Sequence, residues 1–252
     1  MPTITRDGVT LRYEDTGAGV AVLLTHGFGA SAEMWDEQVA AFADRFRLIR
    51  WDMRGHGLTE GPQEPAAYSQ PETVADMVAI LDHLGLEQAV IGGHSLGGFM
   101  SLAFHARHPG RVKALYLQGC GPGYRSERSR AAWNERAERR ARTLEEGGLA
   151  ALGGASEVGK SQQGSAQGLA HAARGILSQV DAQAIDSLPG IAVPTLIVIG
   201  DGDTPYLTGA EYMGQRIPQA KHVVVPDAGH GVNIDQPVVV NRLLDEFLTG
   251  VT

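Results

Sequence analysis

Short apolar runs alternate along the chain with glycine-bearing turns and longer segments of helical period. Residues 3–5 and 9–13 flank Asp7-Gly8, a dipeptide that favours a tight hairpin. Further runs at 20–25, 47–52, 89–92, 112–118, 195–199 and 222–225 each end in a glycine- or proline-marked turn. Most are apolar throughout instead of alternating, which suits strands covered on both faces. Between them the period predicts helices over 32–46, 71–84, 96–107, 206–216 and 238–248. Strand then helix, repeated, predicts an α/β fold with a mostly parallel sheet and helices on both faces. The opening hairpin adds antiparallel strands at one edge.

Residues 124–188 break this rhythm and contain no strand pattern. Residues 126–146 form a charged helical stretch. Arg125, Arg128, Arg130, Arg136, Arg139, Arg140 and Arg142 stand there against five glutamates. The plain reading is a solvated helix laced with i,i+4 pairs, and an anion-binding role is the alternative. Seven glycines follow in the 22 residues of 147–168, which predicts a poorly ordered, mobile stretch. Residues 166–180 read as helical again. The expected division is an α/β core of residues 1–123 and 189–252, with a short helical cap, 124–188, over one end of the sheet.

Composition narrows the classes. At 252 residues the chain suits one domain with a substantial core. A net charge of −8 disfavours nucleic acid as a partner. The single cysteine, Cys120, rules out an intrachain disulfide and any cysteine-based metal cluster within the chain. Residues 1–8 lack the apolar core of a secretory signal, and no apolar run approaches the ~18 residues of a membrane span. The expectation is a cytoplasmic protein with no membrane partner.

The strongest chemical signal is Gly93-His94-Ser95-Leu96-Gly97-Gly98, a G-x-S-x-G motif between a strand and a helix. A nucleophilic serine there must sit in a sharp turn that lifts its side chain off the sheet. Neighbours two residues away on either side then crowd the backbone and must be small. The helix that follows aims its free N–H groups at developing negative charge. A glycine-rich turn with an incidental serine would not need that flanking strand and helix.

A serine needs a base, and the base an orienting acid. Nine histidines compete. His230, in Asp227-Ala228-Gly229-His230-Gly231, follows the last strand at the end of the sheet where Ser95 lies. His94 adjoins the nucleophile but points elsewhere. His26 and His56 sit in turns and suit structural hydrogen bonds, while His83, His105 and His108 fall on or at the end of helices. Asp203 is the favoured acid; Asp201 better caps its turn, and Asp227 is too local to His230. The order Ser95, Asp203, His230 fits a serine hydrolase. The backbone N–H groups of Leu96 and Phe28 are the expected oxyanion hole, each donor contributing about 2.7–4 kcal/mol of transition-state stabilisation.

With those residues in view, the chain resembles the α/β-hydrolase family over essentially its whole length. The resemblance rests on His26-Gly27-Phe28-Gly29, Asp52-Met53-Arg54-Gly55-His56-Gly57, Gly93 to Gly98, His108-Pro109-Gly110-Arg111-Val112, Asp203 and Gly229-His230. It implies the α/β-hydrolase fold with an eight-stranded sheet and a helical cap. Within the family the chain is similar to the small esterase, enol-lactonase and cofactor-free haloperoxidase group. Members that open epoxides or remove halide carry aspartate where this chain has Ser95, which argues against those activities. The implied function is a carboxylesterase-type serine hydrolase cleaving a small ester through an acyl-enzyme, with no metal or organic cofactor. A lactonase or C–C-bond hydrolase would use the same triad. A small-molecule receptor on this fold is a different class of reading, supported by the stretch from His26 to Trp35 but not by the short cap. Trp35 is expected in the core and Cys120 as a buried, inert thiol. Trp133 and Tyr206 are candidates for the pocket that the sequence does not place.

Overall fold

In a computed structural model, which describes residues 2–162 and 164–251, the first hairpin forms as the pattern predicts. Strands β1 (Thr3–Arg6) and β2 (Val9–Thr16) pair antiparallel. Asp7 and Gly8 both take positive φ, 49° and 78°, as a type I′ turn requires. The remaining strands are β3 (Ala21–Thr25), β4 (Arg47–Trp51), β5 (Ala89–His94), β6 (Val112–Gln118), β7 (Thr195–Gly200) and β8 (Ala220–Val225). They form one eight-stranded sheet in the order β1-β2-β4-β3-β5-β6-β7-β8. Only the β1–β2 and β2–β4 pairings are antiparallel. Every residue of β3, β5 and β7 is buried, which explains their unbroken apolar character.

The helices are α1 (Asp36–Phe42), α2 (Gln70–His83), α3 (Leu96–Arg107), α4 (Glu127–Gly147), α5 (Ser156–Gly159), α6 (Ala166–Ala172), α7 (Gln183–Ser187), α8 (Thr204–Arg216), α9 (Val232–Asp235) and α10 (Pro237–Thr249). Alternate residues of the strands feed two cores. On one face Ile91, Leu115 and Ile197 pack with Met77 of α2, Phe104 of α3 and Met213 of α8. On the other Val90, Tyr116 and Val198 pack with Trp35, Phe42 of α1 and Leu244 of α10. Trp35 is fully buried there, as expected. Burying one such side chain stabilises the fold by about 1.5–3 kcal/mol, so the two faces hold the strand ends rigidly.

The insertion is built differently from its sequence pattern. The helix expected over 166–180 is α6 followed by one wide π-type turn, Ala173–Leu177, and the chain is extended at Ser178. Gly175 explains the change, since a Cβ there would lie 1.9 Å from the carbonyl oxygen of Tyr68. The glycine-rich stretch, expected to be poorly ordered, carries a 3₁₀ segment, Gly148–Leu152, and the short α5. Leu152 is buried with Leu144 and Leu169 in a small apolar cluster of its own. Likewise, the helix expected over 32–46 begins as a 3₁₀ turn, Ala32–Trp35, whose Ala32 N–H is held by Asp52 Oδ1 at 2.7 Å.

Candidate active site

Ser95 is the single residue between β5 and α3, with φ 53° and ψ −112°. Few side chains occupy this region, and holding one there costs about 1–3 kcal/mol. The packing around it explains why the turn cannot relax. A Cβ on Gly93 would lie 2.4 Å from the Gly97 carbonyl carbon, and one on Gly97 2.2 Å from the Thr25 carbonyl oxygen. Both positions of the G-x-S-x-G motif therefore exclude side chains because β3, β5 and α3 meet there. Ser95 N–H donates to the Gln118 carbonyl at 2.8 Å, which ties the turn to β6.

Asp203 caps the start of α8 and is 4% exposed. Its Oδ2 lies 2.8 Å from Nδ1 of His230. A carboxylate can only accept, so Nδ1 carries the proton and Nε2 presents its lone pair. The other acids behave as the spacing suggests. Asp201 Oδ1 accepts from the Ala228 N–H at 3.3 Å, closing the turn, and Asp227 is exposed. A Cβ on Gly200 would lie 2.2 Å from the Ala228 carbonyl oxygen, so the acid and histidine loops are in direct contact.

Two aromatic rings pack against the imidazole, His94 tilted at 60° and Tyr206 stacked. His94 lies 4.6 Å away, centroid to centroid, and Tyr206 stacks on it at 4.9 Å and 23°. His94 Nε2 donates to the His230 carbonyl at 2.9 Å, so the residue beside the nucleophile anchors the histidine loop. Burial, and then the nearby His230, hold the His94 ring neutral, well below its ordinary range. Burial pushes the Tyr206 phenol up to about 12, Asp203 adds to the rise, and hydrogen bonding with Ser95 opposes it. The structure thus joins Asp203 to His230 directly. No hydrogen bond joins the Ser95 hydroxyl to the imidazole, and the Tyr206 phenol is the aromatic hydroxyl next to that serine. The role of Tyr206 escaped the sequence reading. Its signal was its spacing, three residues after Asp203 and so on the same side of the first turn of α8.

The loop after β3 completes the site. Neither the Phe28 nor the Leu96 N–H has a hydrogen-bond acceptor among the described residues. His26 holds the loop's shape: its Nδ1 donates to the Gly27 carbonyl at 2.7 Å and its Nε2 accepts from the Met53 N–H at 3.0 Å. His56 packs edge-on against the Phe28 ring at 5.4 Å. Burial lowers His26 to about 4 and His56 to about 3, so both are neutral supports. Cys120, beside Gly98, is a buried thiol pushed up to about 12 by burial and then by Asp203.

A cavity of about 550 Å³ opens on Ser95. Leu96 and Phe99 of α3, Trp133, Arg136 and Leu177 of the insertion, and Tyr206 of α8 line it. That volume is within the range of small-molecule sites, about 300–1,000 Å³. Among the described residues no cluster of three His, Cys, Asp or Glu side chains is arranged to hold a metal ion. No helix among them is long and apolar enough to cross a membrane.

A family model described as the alpha/beta hydrolase fold matches residues 20–143, and one described as TAP-like protein matches residues 176–252. A non-heme haloperoxidase of Rhodococcus erythropolis is 30% identical, over 98% of this chain and 99% of its own. A 3-oxoadipate enol-lactonase of Acinetobacter baylyi is 28% identical, over 98% and 96%. Among solved structures, a thermophilic esterase from Thermogutta terrifontis superposes with a TM-score of 0.83 at 28% identity, covering 99% of this chain and 97% of its own.

Proposed function

The chain belongs to the α/β-hydrolase family, and on that premise we propose that it hydrolyses a small carboxylic ester by acyl transfer through Ser95. The observation that carries the reading is the 2.8 Å contact between buried Asp203 and His230 Nδ1, in a fold that holds Ser95 at a strained strand-to-helix turn. In the reaction the Ser95 hydroxyl turns to His230 Nε2. Such contacts commonly tighten only when substrate is bound. His230 takes the proton as the oxygen attacks the ester carbonyl, and Asp203 stabilises the resulting imidazolium. The Phe28 and Leu96 N–H groups receive the oxyanion. His230 returns the proton to the departing alcohol, then activates water to hydrolyse the acyl-enzyme. No step calls on a cofactor.

Lactone opening is the second reading, favoured by the end-to-end similarity to the enol-lactonase, and it needs the same groups in the same order. The test is a panel of small neutral esters and lactones with wild type and Ser95→Ala. Turnover by wild type and its loss in a folded Ser95→Ala are expected. Wild-type turnover by Ser95→Ala would reject the mechanism.

A further inference from the structure

The arginine-rich helix of the cap divides into two faces. On the outer face the i,i+4 reading holds: Arg139 lies 3.9 Å from Glu135, and Arg142 lies 2.9 Å from Glu138. Arg125 pairs with Asp186 at 2.6 Å, and Arg130 donates to the carbonyls of Tyr124 and Arg125. The inner face follows the buried residues Ala137, Ala141 and Leu144 of α4. Arg136 and Arg140 flank that stripe one turn apart. Neither has a carboxylate within 4.0 Å among the described residues.

These two residues have another use open to them. Arg136 lines the cavity that contains Ser95, and it is the only charged side chain among the described residues of that wall. The rest of the wall is aliphatic, aromatic, glycine or uncharged polar. Arg140 lies over the Phe28 ring, 5.0 Å from its centroid, beside the N–H proposed for the oxyanion. The electrostatic neighbours of Arg140 are Tyr206 and, more weakly, Glu157. Both arginines are exposed and have no carboxylate partner among the described residues, so their guanidinium groups are free to meet an anion that enters the cavity. The chain as a whole carries −8, so without these arginines its field would repel anions from the cavity mouth.

We propose that the cavity selects esters or lactones carrying a second, ionised carboxylate, held by Arg136 with Arg140 adding to the positive potential. The proposal rests on the hydrolase reading above and narrows it to a substrate class. The guanidinium fork matches a carboxylate in a way that no other group on this wall can. The reacting carbonyl then lies at Ser95, with the carboxylate held toward the cap.

The test compares two esters of equal acyl length, ethyl pentanoate and monoethyl glutarate, by release of ethanol at pH 7.5. Wild type should prefer the anionic ester in kcat/KM by about tenfold or more, chiefly through KM. Arg136→Met should cut the anionic-to-neutral ratio by about the same factor, and Arg136→Lys, which keeps the charge but not the fork, should restore only part of it. Arg139→Met, on the outer face, should leave the ratio unchanged. A wild-type ratio at or below one overturns the proposal, as does a ratio that survives Arg136→Met. The hydrolase reading fails separately: it falls if Ser95→Ala still cleaves either ester, or if wild type cleaves neither, and the proposal falls with it.

Discussion

Replacing Ser95 by glycine and by alanine separates what the turn costs from what its hydroxyl does. Both variants lack the hydroxyl, so the loss of its interactions cancels between them. They differ in what φ 53°, ψ −112° costs the backbone. Alanine keeps the Cβ and the strain, about 1–3 kcal/mol in such a region. Glycine adopts the conformation freely but loses more chain entropy on folding, about 0.4–1 kcal/mol. The contacts at Gly93 and Gly97 prevent the turn from relaxing to an ordinary φ. Ser95→Gly should therefore be more stable than Ser95→Ala by about 0.5–2 kcal/mol. For a chain of this size that is about 1–8 °C in Tm. Urea titration and thermal melts by circular dichroism read the difference, and both variants should be inactive on a small ester. At an unstrained position the order is reversed. Ser95→Ala as stable as Ser95→Gly, or more so, would refute the argument that strain is stored at the nucleophile.

Asp203→Asn should lower kcat by about a thousand- to ten-thousandfold with an unchanged circular dichroism spectrum, because the amide favours the wrong imidazole tautomer; a loss under tenfold would remove Asp203 from the triad. Tyr206→Phe keeps the ring stacked on His230 and should hold kcat within about threefold, whereas Tyr206→Ala should lower it about tenfold or more; equal effects would deny the stacking a positioning role. Arg54 pairs with the fully buried Asp76 at 2.7 Å, and Arg6 reaches the same carboxylate at 2.6 Å. Arg54→Met should thus cost about 3 kcal/mol, the lower end for breaking a buried pair, seen as a Tm lowered by about 6–12 °C. Burial holds His26 down to about 4 and His56 down to about 3, below the ordinary imidazole range near 6.5. The unfolded chain therefore binds protons that the native state refuses. Stability should be full above about pH 6.5 and fall as pH drops toward 4, at up to about 1.4 kcal/mol per unit per imidazole. A Tm unchanged between pH 7.5 and 4.5 would contradict their burial as neutral rings.

The sheet and the elbow were legible for the same reason: their signals are local. The strands β3, β5 and β7 are buried on both faces, so their apolar character survives in any window of five or six residues. Asp7-Gly8 declares its turn by the positive φ of both residues. Gly93 and Gly97 flank the serine because the backbone of a neighbouring element occupies the space of their side chains. Where helices came out shorter, the cause was a partner far away in sequence. Asp52 reaches across 20 residues to the Ala32 N–H, and Gly175 is packed against the Tyr68 carbonyl. Neither contact leaves a trace in periodicity.

The cap shows the same limit from the functional side. Seven arginines and five glutamates on one stretch look alike to a charge count, and the i,i+4 rule treats them alike. What separates Arg136 from Arg139 is not composition but azimuth. The two residues are three apart, yet one lines the cavity and the other pairs with Glu135 outside it. That azimuth is set by Ala137, Ala141 and Leu144, of which Ala141 and Leu144 pack with Leu152 and Leu169 in the small cluster beneath them. Leu152 in turn belongs to the glycine-rich segment that composition alone marks as poorly ordered. Substrate choice in this chain therefore depends on a weakly patterned segment placing a helix. An exchange in the segment, Leu152→Ala for instance, removes part of the apolar cluster that seats α4 and should lower the anionic-to-neutral ratio of kcat/KM for the two esters, although it replaces neither the nucleophile nor either arginine.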